Sequence, residues 1–157
     1  MLETDVFKTI VANAPLVSID ICLIHNNRIL LGKRINEPLK GRWFTPGGRI
    51  FKNETLQECL RRVADFELGI AIEDLPRLKL MGAWDHLYEN SFIDQKISTH
   101  YVNLPHYCIL RNGIELTKDQ QHSDLSWFDL KEVAENKNFH EYIQNYASLL
   151  INLGKKL

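Results

Sequence analysis

No stretch of these 157 residues is long and apolar enough to span a bilayer as a helix. The first residues, MLETDVFKTIVANAP, are acidic and amphipathic and lack the basic start and apolar run of a secretory leader. Both absences set the cytoplasm as the expected compartment, with no membrane partner. Cysteine is scarce: three residues, an odd number, and no C-x-x-C pair. Cys22, Cys59 and Cys108 stand singly among apolar neighbours, so buried thiols are expected rather than a disulfide framework or a thiolate metal site. An excess of one charge is missing too, with 19 Lys and Arg against 20 Asp and Glu. That balance supplies no global attraction to nucleic acid, and any phosphate contact must come from locally placed cations or backbone N–H groups. Internal repeats, low-complexity tracts and long linkers are also absent, so one domain is expected over residues 1–157.

What is present suits a globular α/β protein, with 45% hydrophobic and 25% charged residues. A short helix is expected over Val6–Asn13, ending before Pro15. LVSIDICLI (16–24) reads as a strand whose apolar run is interrupted by Ser18 and Asp20. After a turn at 25–27, RILLGKR (28–34) returns as the second arm of a hairpin. A short strand at WFTP leads into Gly47–Gly48, expected to be irregular but open to close backbone approach. LKLMGAWDHLYE (78–89) and THYVNLPHYCIL (99–110) read as one strand each, Pro105 marking the second as an edge or a bulge. A short strand at LSWFDL and a helix near 138–153 close the chain. Strands on either side of a central helix imply a mixed sheet between helices.

The central helix holds the chemical signal. In GGRIFKNETLQECLRRVADFELGI (47–70), helical spacing from Thr55 puts Leu56, Cys59, Leu60, Val63 and Phe66 on one face. Glu67 falls on that face, about 20° round the axis from Leu56. A carboxylate there is costly unless something pairs with it, and it lies at the unfavourable end of the helix dipole. An ion pair or a snorkelling side chain would account for it, and a hard divalent cation, held by a few oxygen ligands, fits better. Gly69 is the expected stop for the helix.

The stretch resembles the Nudix box, G-x5-E-x7-R-E-U-x-E-E-x-G-U with U aliphatic, from Gly48 through Glu54, Arg62 and Glu67 to Gly69-Ile70. Val63 and Phe66 stand where that pattern has glutamates. PLVSID (15–20), LLGKR (30–34), WFTPGGR (43–49), WDHLY (84–88), STHYV (98–102) and QQH (120–122) extend the likeness to one branch, the GDP-mannose mannosyl (glycosyl) hydrolases. Ser98 and Gln120 are conservative departures from it.

The resemblance implies an α/β/α sandwich with a mixed sheet, the Nudix fold. It implies hydrolysis of GDP-mannose, or a related GDP-sugar such as GDP-glucose, to GDP and free sugar. Water would attack the anomeric carbon with inversion, assisted by Mg2+ or its substitute Mn2+. By resemblance, Gly47, Glu67 and Gln121 hold the metal, and His122 is the general base, a task suited to a group that titrates near neutral pH. Arg34 and Arg49 face the diphosphate, Tyr101 donates a hydroxyl to it, and Asp20 and His86 belong to the substrate site. Arg62 pairs with neighbouring carboxylates in a supporting role. A homodimer is the implied assembly. Trp43, Trp84 and Trp127 are core residues by default. Two other readings stay open: a conventional Nudix pyrophosphohydrolase releasing GMP and sugar 1-phosphate, and a nucleotide-sugar sensor without turnover.

Overall fold

In the computed structural model, which describes residues 2–114 and 124–155, the strand β1 (Leu16–His25) runs through the centre of an eight-stranded sheet. The hairpin to β2 (Arg28–Lys33) turns at Asn26 and Asn27, both with positive φ (49° and 59°). Asparagine tolerates this conformation better than most residues. On its other side β1 lies parallel to β7 (Thr99–Ile109), in register from Leu16 opposite Tyr101 to Ile24 opposite Ile109. All the other strand pairs are antiparallel, so the sheet is mixed. β3 (Trp43–Phe44) and β8 (Leu125–Asp129) flank β2.

The alternation of β1 splits the core into two layers. Ile19, Ile21 and Leu23 pack against Cys59, Leu60 and Val63 of α2 (Leu56–Val63). Cys22 and Ile24, on the opposite face, pack against α3 (Leu130–Glu135) and α4 (Glu141–Gly154) through Leu130, Val133, Ile143, Ala147 and Leu150. This is the expected α/β/α sandwich, with the short α1 (Thr4–Asn13) packing Phe7 and Val11 against Leu16. The three cysteines are buried and free.

Several local expectations change. Gly47–Arg49 is not irregular: it forms β4, which pairs with β1 at Ser18–Asp20. The segment read as one strand over 78–89 is two, β5 (Lys79–Leu80) and β6 (Trp84–Tyr88), both paired with β7 and separated at Gly82, where φ is 125°. Pro105 lies opposite that break and accepts there from the Met81 N–H. Having no N–H to donate, it leaves the neighbouring ladder without one rung, so it marks an interruption in β5–β6 and not an edge. β7 itself has partners on both sides. α3, absent from the sequence expectation, is nucleated by Asp129, whose side chain accepts from the Lys131 and Glu132 N–H groups.

The central helix also departs from the regular face. Thr55 and Glu58 form a reciprocal capping box at its start. After Val63 the chain widens into a π-helical turn over Ala64–Leu68 and stops at Gly69 in the left-handed region (φ 62°). The wider turn carries an extra residue, so Ala64 and Leu68 enter the core while Phe66 is left 53% exposed. Leu56, on the first turn, is exposed as well. The apolar face therefore excludes two of its five expected members, and Glu67 comes to lie half-buried.

Candidate active site

Two adjoining clefts open beside β1 and β4. The larger, about 260 Å3, is lined by Asp20, Arg34, Arg49, His86, Tyr101 and Asn103, among others. The smaller, about 200 Å3, is lined by Glu67, Gly47, Lys33 and Leu125. Arg34 and Gly47 belong to both. The fold thus gathers eight sequence-derived candidates around the clefts: Asp20, Arg34, Gly47, Arg49, Glu67, His86 and Tyr101 in the walls, and Arg62 immediately behind. Gln121 and His122 lie outside the described residues.

Gly47 is held by its strand register. It sits opposite Asp20, and a Cβ there would collide with Asp20 Oδ1 and the Ile19 carbonyl. Close approach of β4 to β1 at this point requires glycine. At Gly48 a Cβ would meet Val63 Cγ2 at 3.4 Å, an ordinary contact.

Asp20 explains why a strand as apolar as β1 carries an acid. It is buried, and its Oδ2 accepts from Tyr146 Oη at 2.8 Å and Asn103 Nδ2 at 3.0 Å. Burial pushes its carboxyl up to about 6, against the pull of these donors and of the Arg34 charge. His86 is 1% exposed, stacked flat on Tyr142 (4.1 Å between centroids, 1° between planes) and edge-on to Phe44. Burial, reinforced by His140, pushes His86 down to about 4, so its ring is neutral near pH 7. Burial raises the Tyr101 phenol, partly offset by Arg34 and Arg49.

The cationic side chains differ in how firmly they are anchored. Arg34 donates through Nε to the Pro38 carbonyl at 2.6 Å. Arg49 lies over the rings of Phe7 (4.5 Å) and Phe51 (4.7 Å), which keep its guanidinium at the cleft wall by cation–π contact. Arg62 donates from Nε and Nη2 to the two carboxylate oxygens of Glu54, and from Nη2 to the Arg49 carbonyl at 2.9 Å. It thereby ties the start of the box, its helix and β4 together.

Among the described residues, no three His, Cys, Asp or Glu side chains converge on a common metal position. Val63, at one of the box positions without its glutamate, is 2% exposed in the core, and Phe66, at the other, points outward. Glu67 is therefore the box carboxylate that reaches the cleft it shares with Gly47. None of the three tryptophans lines either cleft. Trp84 packs edge-on against Tyr146, Trp43 against Phe128 and Trp127 against His25.

Sequence reasoning missed Asn103 and Tyr146. The first had a signal: a polar residue inside the apolar strand β7, whose partner strand carries a buried acid. The second had none, because a tyrosine on the apolar face of a terminal helix reads as packing.

Residues 14–149 match the NUDIX domain family model. The chain belongs to the Nudix family. This Nudix hydrolase is 40% identical over 149 residues, 95% of its length and 90% of the relative's, to the low-salt glycan biosynthesis protein Agl8 of Haloferax volcanii. It is 29% identical over 130 residues, 82% of its length and 70% of the relative's, to an ADP-ribose pyrophosphatase of Methanocaldococcus jannaschii. Among solved structures it resembles a MutT NUDIX hydrolase from Burkholderia pseudomallei, with a TM-score of 0.68 and 25% identity over 87% of this chain and 98% of that one. None of its described helices is long and apolar enough to cross a membrane.

Proposed function

We propose that this Nudix hydrolase cleaves a GDP-sugar, GDP-mannose in the first place, at the bond between the anomeric carbon and oxygen, releasing GDP and free sugar. The observation that carries this reading is the state of the helix: with Val63 in the core and Phe66 turned outward, one box carboxylate, Glu67, faces the cleft. Such a helix is poorly equipped to assemble a cluster of metals around an attacked phosphorus. It suffices to neutralise a diphosphate that departs as an intact leaving group. The likeness to a protein named for glycan biosynthesis supports a sugar-linked substrate.

The donor set suits a hard cation, since Glu67 and Gly47 offer only oxygen. Together with Gln121 they would hold Mg2+, or Mn2+ in its place. Such an ion, when bound, neutralises charge on the diphosphate and eases its departure. Arg34 and Arg49, both in the wall of the larger cleft, grip the diphosphate oxygens, a task for which a planar guanidinium is suited. Tyr101 adds a phenolic donor. Asp20 would set a carboxylate where positive charge develops on the anomeric carbon, and neutral His86 contacts the sugar or leaving group. His122 takes the proton of the attacking water on the opposite face, as inversion requires. We further propose that the active assembly is a cytoplasmic homodimer and that residues 1–157 act as one domain.

Hydrolysis of GDP-mannose in 18O-water with magnesium tests the reading. Label in the free sugar is the expected result. Label in phosphate, with GMP and sugar 1-phosphate as products, would establish the conventional pyrophosphohydrolase instead. Binding without turnover would establish a sensor.

A further inference from the structure

The Tyr146 hydroxyl stands at a junction that the proposed mechanism leaves unused. It comes from α4, on the far side of the sheet from the Nudix helix, and lies within hydrogen-bond distance of three polar side chains that line the larger cleft. Asp20 Oδ2 is at 2.8 Å, Asn103 Oδ1 at 3.2 Å and His86 Nε2 at 3.3 Å. All four residues belong to the cleft wall or its immediate backing, and Tyr146 is itself completely buried.

A phenol has one proton to donate and lone pairs with which to accept. The nearest acceptor is also the charged one, so the proton goes to Asp20. Asn103 is oriented by its own bond, since its Nδ2 donates to the same carboxylate oxygen. With the phenolic proton committed, His86 Nε2 can satisfy the contact with Tyr146 only by donating. A buried nitrogen lone pair facing an oxygen lone pair would be unpaired on both sides, a cost comparable to a lost hydrogen bond. The chain of donation therefore runs from His86 Nε2–H to Tyr146 Oη–H to Asp20.

The geometry points to Tyr146 as a positioning residue for the proposed glycosyl transfer to water. One hydroxyl fixes the orientation of the Asp20 carboxylate and, at the same time, selects the Nε2–H tautomer of His86, which leaves Nδ1 as the acceptor. The inference rests on the proposed reading for its catalytic consequence but not for the tautomer, which is a property of the free protein.

The closing experiment separates the two. Long-range 1H–15N spectra of uniformly labelled wild-type protein at pH 7.5, without ligand, report the His86 tautomer directly. The expected result is the Nε2–H form. The Nδ1–H form would overturn the inference whatever the enzyme cleaves, and no variant needs to fold for that outcome. In Tyr146→Phe the ring and its packing remain, and the expected spectrum shows a mixture of tautomers. On GDP-mannose this variant is expected to lose tenfold or more in kcat with KM within about threefold of wild type, as for an interaction that counts mainly in the transition state. Trp84→Phe perturbs the same packing, since Trp84 meets the Tyr146 ring edge-on at 5.3 Å. It is expected to lower Tm and leave tautomer and kcat alone. Equal effects of the two variants on kcat would reduce Tyr146 to packing and overturn the inference. Label in phosphate from the 18O experiment would remove the proposed reaction and leave the tautomer result standing.

Discussion

Arg62 grips Glu54 in a forked pair, Nε to Oε1 at 2.6 Å and Nη2 to Oε2 at 2.9 Å, so the segment leading into the Nudix helix is bolted to a residue inside that helix, eight positions on. Glu54 is 12% exposed and Arg62 35%. The pair holds the Glu54 carboxyl below its ordinary value of 4.5. A depressed carboxyl stabilises the fold above its unfolded value, and that contribution is lost as pH falls through the lower folded value. Glu54→Gln is therefore expected to lower stability at pH 7 by about 1 kcal/mol, after allowing for screening of the half-exposed arginine. Urea unfolding should show the gap to wild type closing below pH 4.

The glycine pair makes a contrast within one dipeptide. Gly47→Ala drives a methyl group into Asp20 Oδ1 and the Ile19 carbonyl, whereas Gly48→Ala meets Val63 at 3.4 Å. The first is expected to cost about 2 kcal/mol or more and to abolish most turnover, because β4 must shift from β1. The second should stay within about 1 kcal/mol of wild type. Thermal melts and turnover of the two variants check this.

Restoring the box at Val63 is expected to harm the protein and not to repair it. Val63→Glu buries a carboxylate among Ile19, Leu60 and Leu68, at a cost of several kcal/mol. Phe66→Glu, at a 53% exposed position, should leave Tm nearly unchanged. If both variants melt like the wild type, the packing described for the helix is wrong.

Glu67→Gln keeps the shape and removes the charge. Magnesium affinity is expected to fall about tenfold or more, read by calorimetry or by competition with Mn2+. An unchanged titration would take Glu67 out of the metal site. Removing the cation with a chelator should stop wild-type turnover and be reversed by excess Mg2+.

For His122→Gln the expectation is a loss of kcat of about 100-fold or more with little change in substrate affinity, since a general base acts in the transition state. Turnover at pH 7.5 close to that of the wild type would exclude His122 as the base.

The sequence by itself determined the α/β class, the β1–β2 hairpin and the end of the central helix, because the apolar runs of β1 and β2, the turn at 25–27 and the stop at Gly69 are local signals that survive folding. It also determined the family, because the spacing from Gly48 to Ile70 is a property of one continuous segment. What only the tertiary structure decided depends on partners distant in the chain. Asp20 has a companion in Tyr146, 126 residues away, and another in Asn103, 83 residues away. No periodicity relates them. Pro105 reads as an edge or a bulge because a missing N–H is a local fact. Its place between two partners, opposite a break in one of them, is a fact about the whole sheet. The π turn decided the fate of Phe66 and Glu67: one extra residue in a turn rotates everything after it, and a pattern read at 3.6 residues per turn carries no trace of that rotation.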